Sequence, residues 1–462
     1  MEKMALQVLN KINDIVWGPI LLVLLVGTGI MLTIRLKGIQ IFKLPKAVKL
    51  IFKNDSEGKE GDISSFSALC TALSATIGTG NIVGVAAAIT AGGPGALFWM
   101  WLAAFFGMAT KYAECLLALK YRTKDENGQI AGGPMHYIEQ GLGKKFKPLA
   151  ILFAIFGVMV ALMGIGTFTQ VNSISTGIQS VFGVDPKITS MVVGILVALI
   201  VFGGIKSISK VASKVVPFMA IIYVVLTLII IIANIGQIGH AFALIFKGAF
   251  TGSAAVGGFM GATMAQAIQK GISRGVFSNE SGLGSAPIAA AASKSEYPAE
   301  QGLISMTGTF IDTIIICTLT GLSIIVTGAW QQGLEGAEVT QYAFQTVLGD
   351  IGPFLIMICL VLFAFTTILG WCYYGERCLE YLLGVKAIKF YRLIFVMCVA
   401  FTGFLQFKAI WTLADIVNGL MAFPNLIALI ALSGVVVSET NNYMKHLDTK
   451  EKMSKRVEGK TC

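Results

Sequence analysis

The sequence predicts an all-α membrane protein in which one leading helix precedes two five-helix repeats of inverted orientation. Hydrophobic residues make up 55% of the 462-residue chain, charged residues make up 13%, and the mean hydropathy is +0.77. These values lie outside the range of soluble domains. Apolar segments long enough to cross a bilayer recur along the chain. Glycine-rich interruptions also occur at corresponding positions in the two halves, a pattern typical of inverted repeats.

Eleven apolar segments are long enough, at roughly 20 residues each, to cross a bilayer as helices. We place them at 15–35, 63–91, 94–120, 149–180, 188–205, 213–236, 252–270, 302–328, 352–375, 390–407 and 410–437. The first has no small-residue cleavage site, and its flank holds Asp14 as well as Lys11. We therefore expect a retained helix and not a signal peptide.

The basic residues predict the orientation of the chain in the membrane. With the N-terminus outside, 29 of the 35 lysines and arginines fall in cytoplasmic segments, as the positive-inside rule requires. We expect a monomer in the cell membrane, with its N-terminus outside and its C-terminus in the cytoplasm. The net charge of +10 then lies in loops that face the anionic inner leaflet, so it does not indicate nucleic-acid binding.

The spans divide into two blocks of similar length. Each block holds five helices, an odd number, so the second block enters the membrane from the opposite side. The predicted organisation is an N-terminal helix with a basic cytoplasmic segment (1–62), a first repeat (63–236), a second repeat (237–437) and a charged cytoplasmic tail (438–462).

The first helix of the first repeat contains residues that interrupt a helix. Gly78 and Gly80 flank Thr79, and Asn81 follows, all inside an apolar span. Glycine lowers helix stability, while Thr and Asn supply hydroxyl and amide groups. Because an unpaired backbone group is costly in hydrocarbon, an opened helix persists only where protein, ions or a polar solute complete its bonds. The segment is a candidate binding site, although Gly80-x-x-x-Gly84 is also a helix-packing pattern.

The first helix of the second repeat carries a matching glycine cluster. Gly257, Gly258 and Gly261 occupy the position that corresponds to the first interruption. Paired glycine-interrupted helices in two halves of a membrane protein indicate a binding site near the bilayer midplane. This pairing favours binding over packing and predicts a secondary transporter.

Two other function classes fit the sequence less well. A Gly-x-Ser-x-Gly motif occurs at 271–275, but it marks a nucleophile only on a strand-to-helix elbow with Asp and His partners. The chain has three histidines and eight scattered cysteines. We therefore expect no enzyme, no zinc site and no disulfide framework. A channel would line a pore with polar rings, whereas the polar groups here lie at two interrupted helices of one chain.

Four longer motifs occur in order along the chain. They are GGPGALFWMWLAAFFGMATKYAE (92–114), GGPMHYIEQGLG (132–143), GVFSNESGLGSAPIAAAA (275–292) and GERCLEYLLG (375–384). These stretches resemble the signature sequences of the alanine or glycine:cation symporter family, the sodium/alanine symporters, and the resemblance covers about 61–384. It implies the leucine-transporter type of inverted-repeat fold and uptake of alanine or glycine with sodium, without a cofactor. The residues alone leave open a proton-coupled carrier of another small amino acid on the same fold.

An interrupted helix suits both charges of an amino-acid zwitterion. Amides that begin the second half-helix point towards an anion, and carbonyls that end the first half suit a cation. We therefore expect Thr79, Gly80 and Asn81 to bind the substrate, with Gly257 and Gly258 contributing from the second interruption.

Further substrate contacts are expected from the fourth span and beyond. Gln170 either ties helices together or bonds the substrate, because a buried amide must satisfy an acceptor and two donors; the resemblance places its helix along the cavity. Trp371 is the expected steric wall. Its expected companions are Phe168, Phe259 and Met264. Such a wall selects small substrates, because extra atoms clash while a missing methylene costs only about 1–3 kcal/mol.

The resemblance also places a sodium ion between the first interruption and the ninth span. Its ligands would be the carbonyls of Ser74, Ile77 and Phe363 and the hydroxyls of Thr366 and Thr367. Consecutive threonines in an apolar helix can instead bond back to the preceding turn, so the nearby broken helix is what favours sodium ligation.

Ionisable residues inside spans are functional candidates by default. Lys111 and Glu114 lie three residues apart on one predicted helix and are expected to form a structural pair. Asp312 lies one or two turns into the eighth span, and the sequence does not identify its partner. The segment 273–295, which includes Glu280, is expected to be a cytoplasmic loop and helix that closes an inner gate.

Overall fold

The computed structural model describes residues 2–52, 59–251, 264–404 and 409–458. These residues are mostly helical. Their α-helices are α1 (Glu2–Val16), α2 (Pro19–Arg35), α3 (Ile39–Phe42), α4 (Leu44–Ile51), α5 (Ser65–Thr76), α6 (Val85–Gly92), α7 (Ala96–Lys120), α8 (Pro134–Leu142), α9 (Lys147–Met163), α10 (Phe168–Phe182), α11 (Pro186–Val201), α12 (Gly204–Ala233), α13 (Ile238–Thr251), α14 (Met264–Asn279), α15 (Ala286–Ala291), α16 (Pro298–Thr309), α17 (Thr318–Val326), α18 (Ala337–Leu348), α19 (Ile351–Leu383), α20 (Ala387–Phe401), α21 (Ala409–Ala431) and α22 (Ser433–Glu458).

Shorter elements connect these helices. Two π-helical segments, Gly80–Gly84 and Phe310–Cys317, lead into α6 and α17. Strands β1 (Thr123–Lys124) and β2 (Ile130–Ala131) pair antiparallel as a hairpin between α7 and α8. The 3₁₀ turns are Lys144–Phe146, Ile235–Gln237, Ala329–Gln331 and Thr402–Phe404.

Most of the predicted spans correspond to long apolar helices. Within the described ranges, eight are long and apolar enough to cross a membrane: Leu6–Arg35, Ala96–Lys120, Lys144–Phe182, Gly204–Ala233, Pro298–Val326, Ile351–Leu383, Ala387–Phe404 and Thr412–Ala431. The bent pair Ser65–Thr76 and Gly80–Gly92 adds a ninth if it counts as one span, and Pro186–Val201 is apolar but shorter. The predicted span at 252–270 lies largely outside the described residues.

The outer faces of several helices expose large apolar side chains. Leu199 on α11, Ile221 on α12 and Phe390 on α20 are 75%, 64% and 71% exposed. In water such exposure would be unfavourable, whereas hydrocarbon solvates it. Together with the apolar helices, this surface identifies a multi-pass membrane protein.

Two groups of helices pack on either side of the interrupted segment that follows α5. The α7 group comprises α5, α6, α7, α14, α15 and α16, and the α19 group comprises α9, α10, α11, α19 and α20. Helix α5 also packs against α19 and α12. The end of α5 therefore lies where the two groups meet.

Helices α2 and α21 run parallel and define two ends of the molecule. At one end, Trp17 Nε1 donates to the carbonyl of Asp415 at 2.8 Å; we call this end, which holds α1, the α1 face. At the other end, Arg35 donates to Ser433 Oγ. The hairpin lies at this second end, because Lys120, which precedes the hairpin, pairs with Glu439 of α22. We call this second end the hairpin face.

Candidate functional site

Helix α5 ends where its glycines predict an interruption. Ser64 caps the start of the helix by accepting a hydrogen bond from Ser67 N at 3.1 Å. Ile77, at φ −75° and ψ 89°, leaves the helical conformation. The chain resumes helical structure at Gly80 after a bend of 52°. The predicted interruption at Gly78 is therefore present.

Two side chains, one from the segment itself and one from α10, satisfy part of the opened main chain. Gly78 N donates to Asn81 Oδ1 at 2.9 Å, and Thr79 N donates to Gln170 Oε1 at 3.4 Å. Thr79 is 1% exposed, yet among the described residues its hydroxyl has no hydrogen-bond partner. A buried hydroxyl without a partner loses the bonds it would make in water, and a bound polar solute can restore them.

Asp312 connects the first interruption with the end of α14. Asn81 Nδ2 donates to Asp312 Oδ1 at 2.7 Å and to the Asp312 carbonyl at 3.2 Å. Ser278 Oγ and Thr313 Oγ1 donate to Asp312 Oδ2 at 2.9 and 2.7 Å. Asp312 is fully buried in the π-helical segment Phe310–Cys317. The sequence does not reveal the partners Asn81 and Ser278, because they come from other helical segments that are distant in the chain.

The predicted cation ligands are buried around the same interruption. Thr367 Oγ1 lies 3.0 Å from the Phe363 carbonyl and 3.5 Å from the Ile77 carbonyl. Thr366 Oγ1 also bonds to the Phe363 carbonyl, at 3.0 Å, and its other neighbour is Met219 Sδ at 3.5 Å. Ser74, on the last turns of α5, donates its hydroxyl to a carbonyl of its own helix. The structure thus joins Ile77, Phe363 and Thr367 directly.

A second interruption lies between α14 and α15. Glu280, Gly282 and Gly284 have φ of 56°, 92° and 83°, and all three are buried. The expectation of a cytoplasmic loop and gate helix at 273–295 is wrong for this part, which lies in the protein interior. Its polar, glycine-rich composition matches a surface loop, and only the packing of neighbouring helices distinguishes the two.

The predicted second-interruption residues lie elsewhere in the chain. Gly257, Gly258 and Phe259 fall outside the described residues. Met264 begins α14 and is 45% exposed, so it is not enclosed with the buried groups described above.

Polar side chains satisfy the main chain of this second interruption. Gly282 N donates to Glu114 Oε1 at 3.1 Å, and Asn425 Nδ2 donates to the Gly282 carbonyl at 2.9 Å. The expected direct pair between Lys111 and Glu114 is not formed, because the described residues offer Lys111 Nζ no hydrogen-bond partner. Glu114 instead supports the interrupted segment.

Trp371 is held in place beside the second interruption. Its Nε1 donates to Glu280 Oε1 at 2.9 Å, and Ser285 donates to the other oxygen of Glu280. A Cβ added at Gly166 would lie 2.8 Å from Trp371 Cβ, so the base of the Trp371 side chain packs closely against the turn before α10. Phe168 begins α10 and is only partly buried.

The two interruptions adjoin each other. A Cβ added at Gly80 would lie 3.1 Å from Ser278 Cα, two residues before Glu280. The region therefore combines helix-end amides and carbonyls, an unpaired hydroxyl and buried carboxylates. Such a set can pair with both charges of a small zwitterion and with a hard monovalent cation.

Known proteins resemble this chain over almost its whole length. A family model described as the sodium:alanine symporter family matches residues 1–457. The sodium/alanine symporter AgcS of Methanococcus maripaludis is 52% identical over 95% of this chain and 97% of its own. An uncharacterized transporter of Haemophilus influenzae is 58% identical over 96% of each chain.

A solved structure shares the arrangement of helices. The crystal structure of MhsT in complex with L-phenylalanine matches with a TM-score of 0.56 at 14% identity, covering 82% of this chain and 89% of that one. This likeness shows a common fold, that of leucine-transporter-type carriers. From the match to the family model and the identity to AgcS, we conclude that this chain is a transporter that belongs to the sodium:alanine symporter family.

Proposed function

We propose that this chain is a sodium-coupled symporter that takes up alanine and glycine by alternating access. The observation that carries the proposal is the broken helix between Thr76 and Gly80, with a buried, unpaired Thr79 hydroxyl. An opening of this kind at membrane depth persists only where protein groups, ions or a polar solute complete its bonds, and the described residues leave the Thr79 hydroxyl unpaired. The name of the 52% identical relative, a sodium/alanine symporter, supports the choice of substrate and ion.

Each half of the proposed site suits a different ligand. The substrate would bind at Thr79, Gly80 and Asn81, with Gln170 beside them and Trp371 as the wall that excludes larger side chains. Sodium would bind the carbonyls of Ile77, Ser74 and Phe363 with the hydroxyls of Thr367 and Thr366. Further substrate contacts are proposed from Gly257, Gly258, Phe259, Phe168 and Met264.

We extend the proposal to the architecture and orientation of the whole chain. Eleven spans would form one leading helix and two inverted repeats, 63–236 and 237–437, in the plasma membrane, as a monomer. The described apolar helices and the bent pair account for the first six spans and the last four. The N-terminus would lie outside and the tail inside.

The geometry supports a simple order of events. Sodium entering from outside would bind the carbonyls that end α5 and fix the distance between α5 and α19. The substrate would then complete the hydrogen bonds of the Thr79 hydroxyl and of the opened main chain. Sodium and substrate together would thus bridge the gap between the α7 and α19 groups. Rocking of one group against the other would release both ligands inside.

Purified protein in liposomes tests this proposal. We expect saturable uptake of radiolabelled alanine and glycine above equilibrium when sodium is high outside, and none with potassium replacing sodium. Accumulation driven by a proton gradient without sodium would instead support the proton-coupled alternative. Non-saturable flux that never exceeds equilibrium would contradict any symporter.

A further inference from the structure

A buried lysine in the α7 group lies outside the proposed transport site. Lys111 is 3% exposed, and nothing in the described chain accepts a hydrogen bond from its Nζ. It lines a cavity with room for about one water molecule, together with Thr76, Asn279 and Ser305. Ionisable groups at membrane depth are costly and mark functional positions.

Three fully buried carboxylates lie within electrostatic reach of this ammonium. They are Glu114, Glu280 and Asp312. Glu114 follows one turn later on α7, and Asn279, which lines the lysine cavity, donates to Thr313 beside Asp312 at 2.9 Å. The ammonium therefore lies beside the cluster, and within the described residues it makes no hydrogen bond to any of its members.

Each carboxylate supports one of the two interrupted helices. Glu114 accepts from Gly282 N, and Glu280 accepts from Trp371 Nε1 at the second interruption. Asp312 accepts from the Asn81 amide at the first. The charge on Lys111 thus acts on both interruptions at once.

When all three carboxylates are ionised, one ammonium leaves an excess of negative charge in the interior. Buried charge is stable only when it is paired or neutralised. A mobile cation that enters the site supplies part of the missing charge, and the fixed ammonium supplies another part.

We propose that Lys111 is a fixed internal cation that sets how many mobile cations the carrier binds with each substrate molecule. This inference rests on the proposed cation-coupled transport and deepens it. Removing the ammonium increases the excess of negative charge by one. The carrier then needs one further monovalent cation, sodium or a proton, to bring substrate across.

Lys111→Met tests the proposal because methionine keeps most of the apolar stem and loses the charge. Sodium and alanine fluxes are measured with two radiolabels in liposomes, and proton uptake with an internal pH dye. We expect the number of cations per alanine to rise by one in Lys111→Met and to stay at the wild-type value in Lys111→Arg. An unchanged number in a transporting Lys111→Met protein would overturn the proposal.

A second variant covers the case in which Lys111→Met does not fold. Lys111→Met/Glu114→Gln restores the original charge balance of the cluster, whereas Lys111→Met/Glu126→Gln makes the same change at an exposed carboxylate outside it. We expect the Glu114 double variant alone to recover thermal stability and the wild-type cation number. Equal behaviour of the two double variants would overturn the proposal.

The wild-type protein separates this inference from the transport proposal. Absence of any cation-driven alanine uptake in the wild type would refute the transport proposal and this inference with it. Sodium-driven uptake in the wild type, with the same cation number in Lys111→Met, would refute only the role of Lys111.

Discussion

Two adjacent threonines of α19 have different surroundings. Thr367 Oγ1 lies 3.5 Å from the Ile77 carbonyl at the end of α5, whereas Thr366 Oγ1 lies 3.5 Å from Met219 Sδ on α12. Both hydroxyls bond the Phe363 carbonyl, but of the two only that of Thr367 also reaches the opened end of α5. The structure therefore favours Thr367 as the stronger of the two predicted ligands.

We predict that Thr367→Ala raises the sodium concentration for half-maximal alanine uptake by about 10- to 100-fold. A lost bond to a charged group costs about 1.5–3 kcal/mol, and 1.4 kcal/mol corresponds to about a factor of ten. Sodium titrations of uptake in liposomes measure the effect. Thr367→Ser, which keeps the hydroxyl, should stay near wild type, and Thr366→Ala should have the smaller effect. Identical sodium dependence in Thr367→Ala and the wild type would remove Thr367 from the site.

Trp371 gives a second prediction for a single residue. The indole is 1% exposed and fixed by its bond to Glu280, so it cannot move aside for a larger substrate. We predict that Trp371→Leu raises the kcat/KM ratio of leucine to alanine by about tenfold or more, the usual scale for discrimination by pocket size. Competition between labelled alanine and unlabelled leucine measures this ratio. Trp330→Leu, on the connection between α17 and α18, serves as the control. Continued exclusion of leucine by Trp371→Leu would refute the role of Trp371 as a steric wall.

The broken helix of the α7 group makes a prediction for a whole element. A Cβ at Gly78 would lie 2.4 Å from Thr367 Oγ1, whereas a Cβ at Gly84 meets nothing within 4 Å. Overpacking of a buried contact costs about 1–3 kcal/mol. We predict that Gly78→Ala lowers thermal stability and abolishes sodium-driven uptake, while Gly84→Ala retains both. Unfolding in detergent and uptake in liposomes measure the two effects; equal losses in both variants would show that the shape of the opening does not matter.

The hairpin between α7 and α8 is fixed by a buried arginine. Arg377 of α19 donates to Asp125 Oδ2 at 3.1 Å and to Gln129 Oε1 at 2.9 Å. The side chains of Arg377 and Asp125 are only 1% and 3% exposed. By contrast, Lys124 of the hairpin forms an ion pair with Glu60, and the two side chains are 57% and 70% exposed. One element therefore carries a buried ion pair and a solvated one.

We predict that Arg377→Gln lowers the free energy of unfolding by about 3–5 kcal/mol, because it leaves buried carboxylates without their cation. Lys124→Gln should leave it nearly unchanged, because solvent screens an exposed ion pair. Thermal unfolding in detergent compares the variants, and proteolysis at the hairpin should increase only in Arg377→Gln. Similar unfolding temperatures for the two variants would contradict the role assigned to Arg377.

At the scale of the whole molecule, sequence patterns predict the spans well because lipid imposes a simple requirement. A segment that crosses hydrocarbon must be continuously apolar and of fixed length, so spans such as Ile351–Leu383 are visible without a structure. The interruption at Gly78 is visible for the same reason, since glycine, threonine and asparagine stand out inside an apolar span.

Other parts of the site depend on packing that the sequence does not display. The segment around Glu280 is polar and rich in glycine, so its composition indicates a surface loop although it is buried. The bond between Asn81 and Asp312 joins residues 231 positions apart, and no local pattern predicts such a partner. Lys111 and Glu114 have helical spacing that favours a direct pair, yet Glu114 bonds to Gly282 instead.

The two faces of the molecule make the predicted orientation testable. Residues of α14 near Arg274 belong to the α1 face, because Arg274 pairs with Asp415 at 2.8 Å. Arg274 therefore lies on the opposite face from the basic residues of the hairpin. The bias towards the hairpin face remains, since Arg122, Lys124 and the lysines near the start of α9 lie beside the hairpin in the chain.

We predict that the α1 face lies outside the cell and the hairpin face inside, since the basic residues favour the cytoplasmic side. Lys11 and Asn127 are exposed on the two faces, so a cysteine at either position is accessible to a maleimide that cannot cross membranes. Lys11→Cys should be labelled in intact cells, and Asn127→Cys only after the cells are permeabilised, each relative to the parent chain. The reverse pattern would place the N-terminus in the cytoplasm and invert the direction in which the site opens to a sodium gradient.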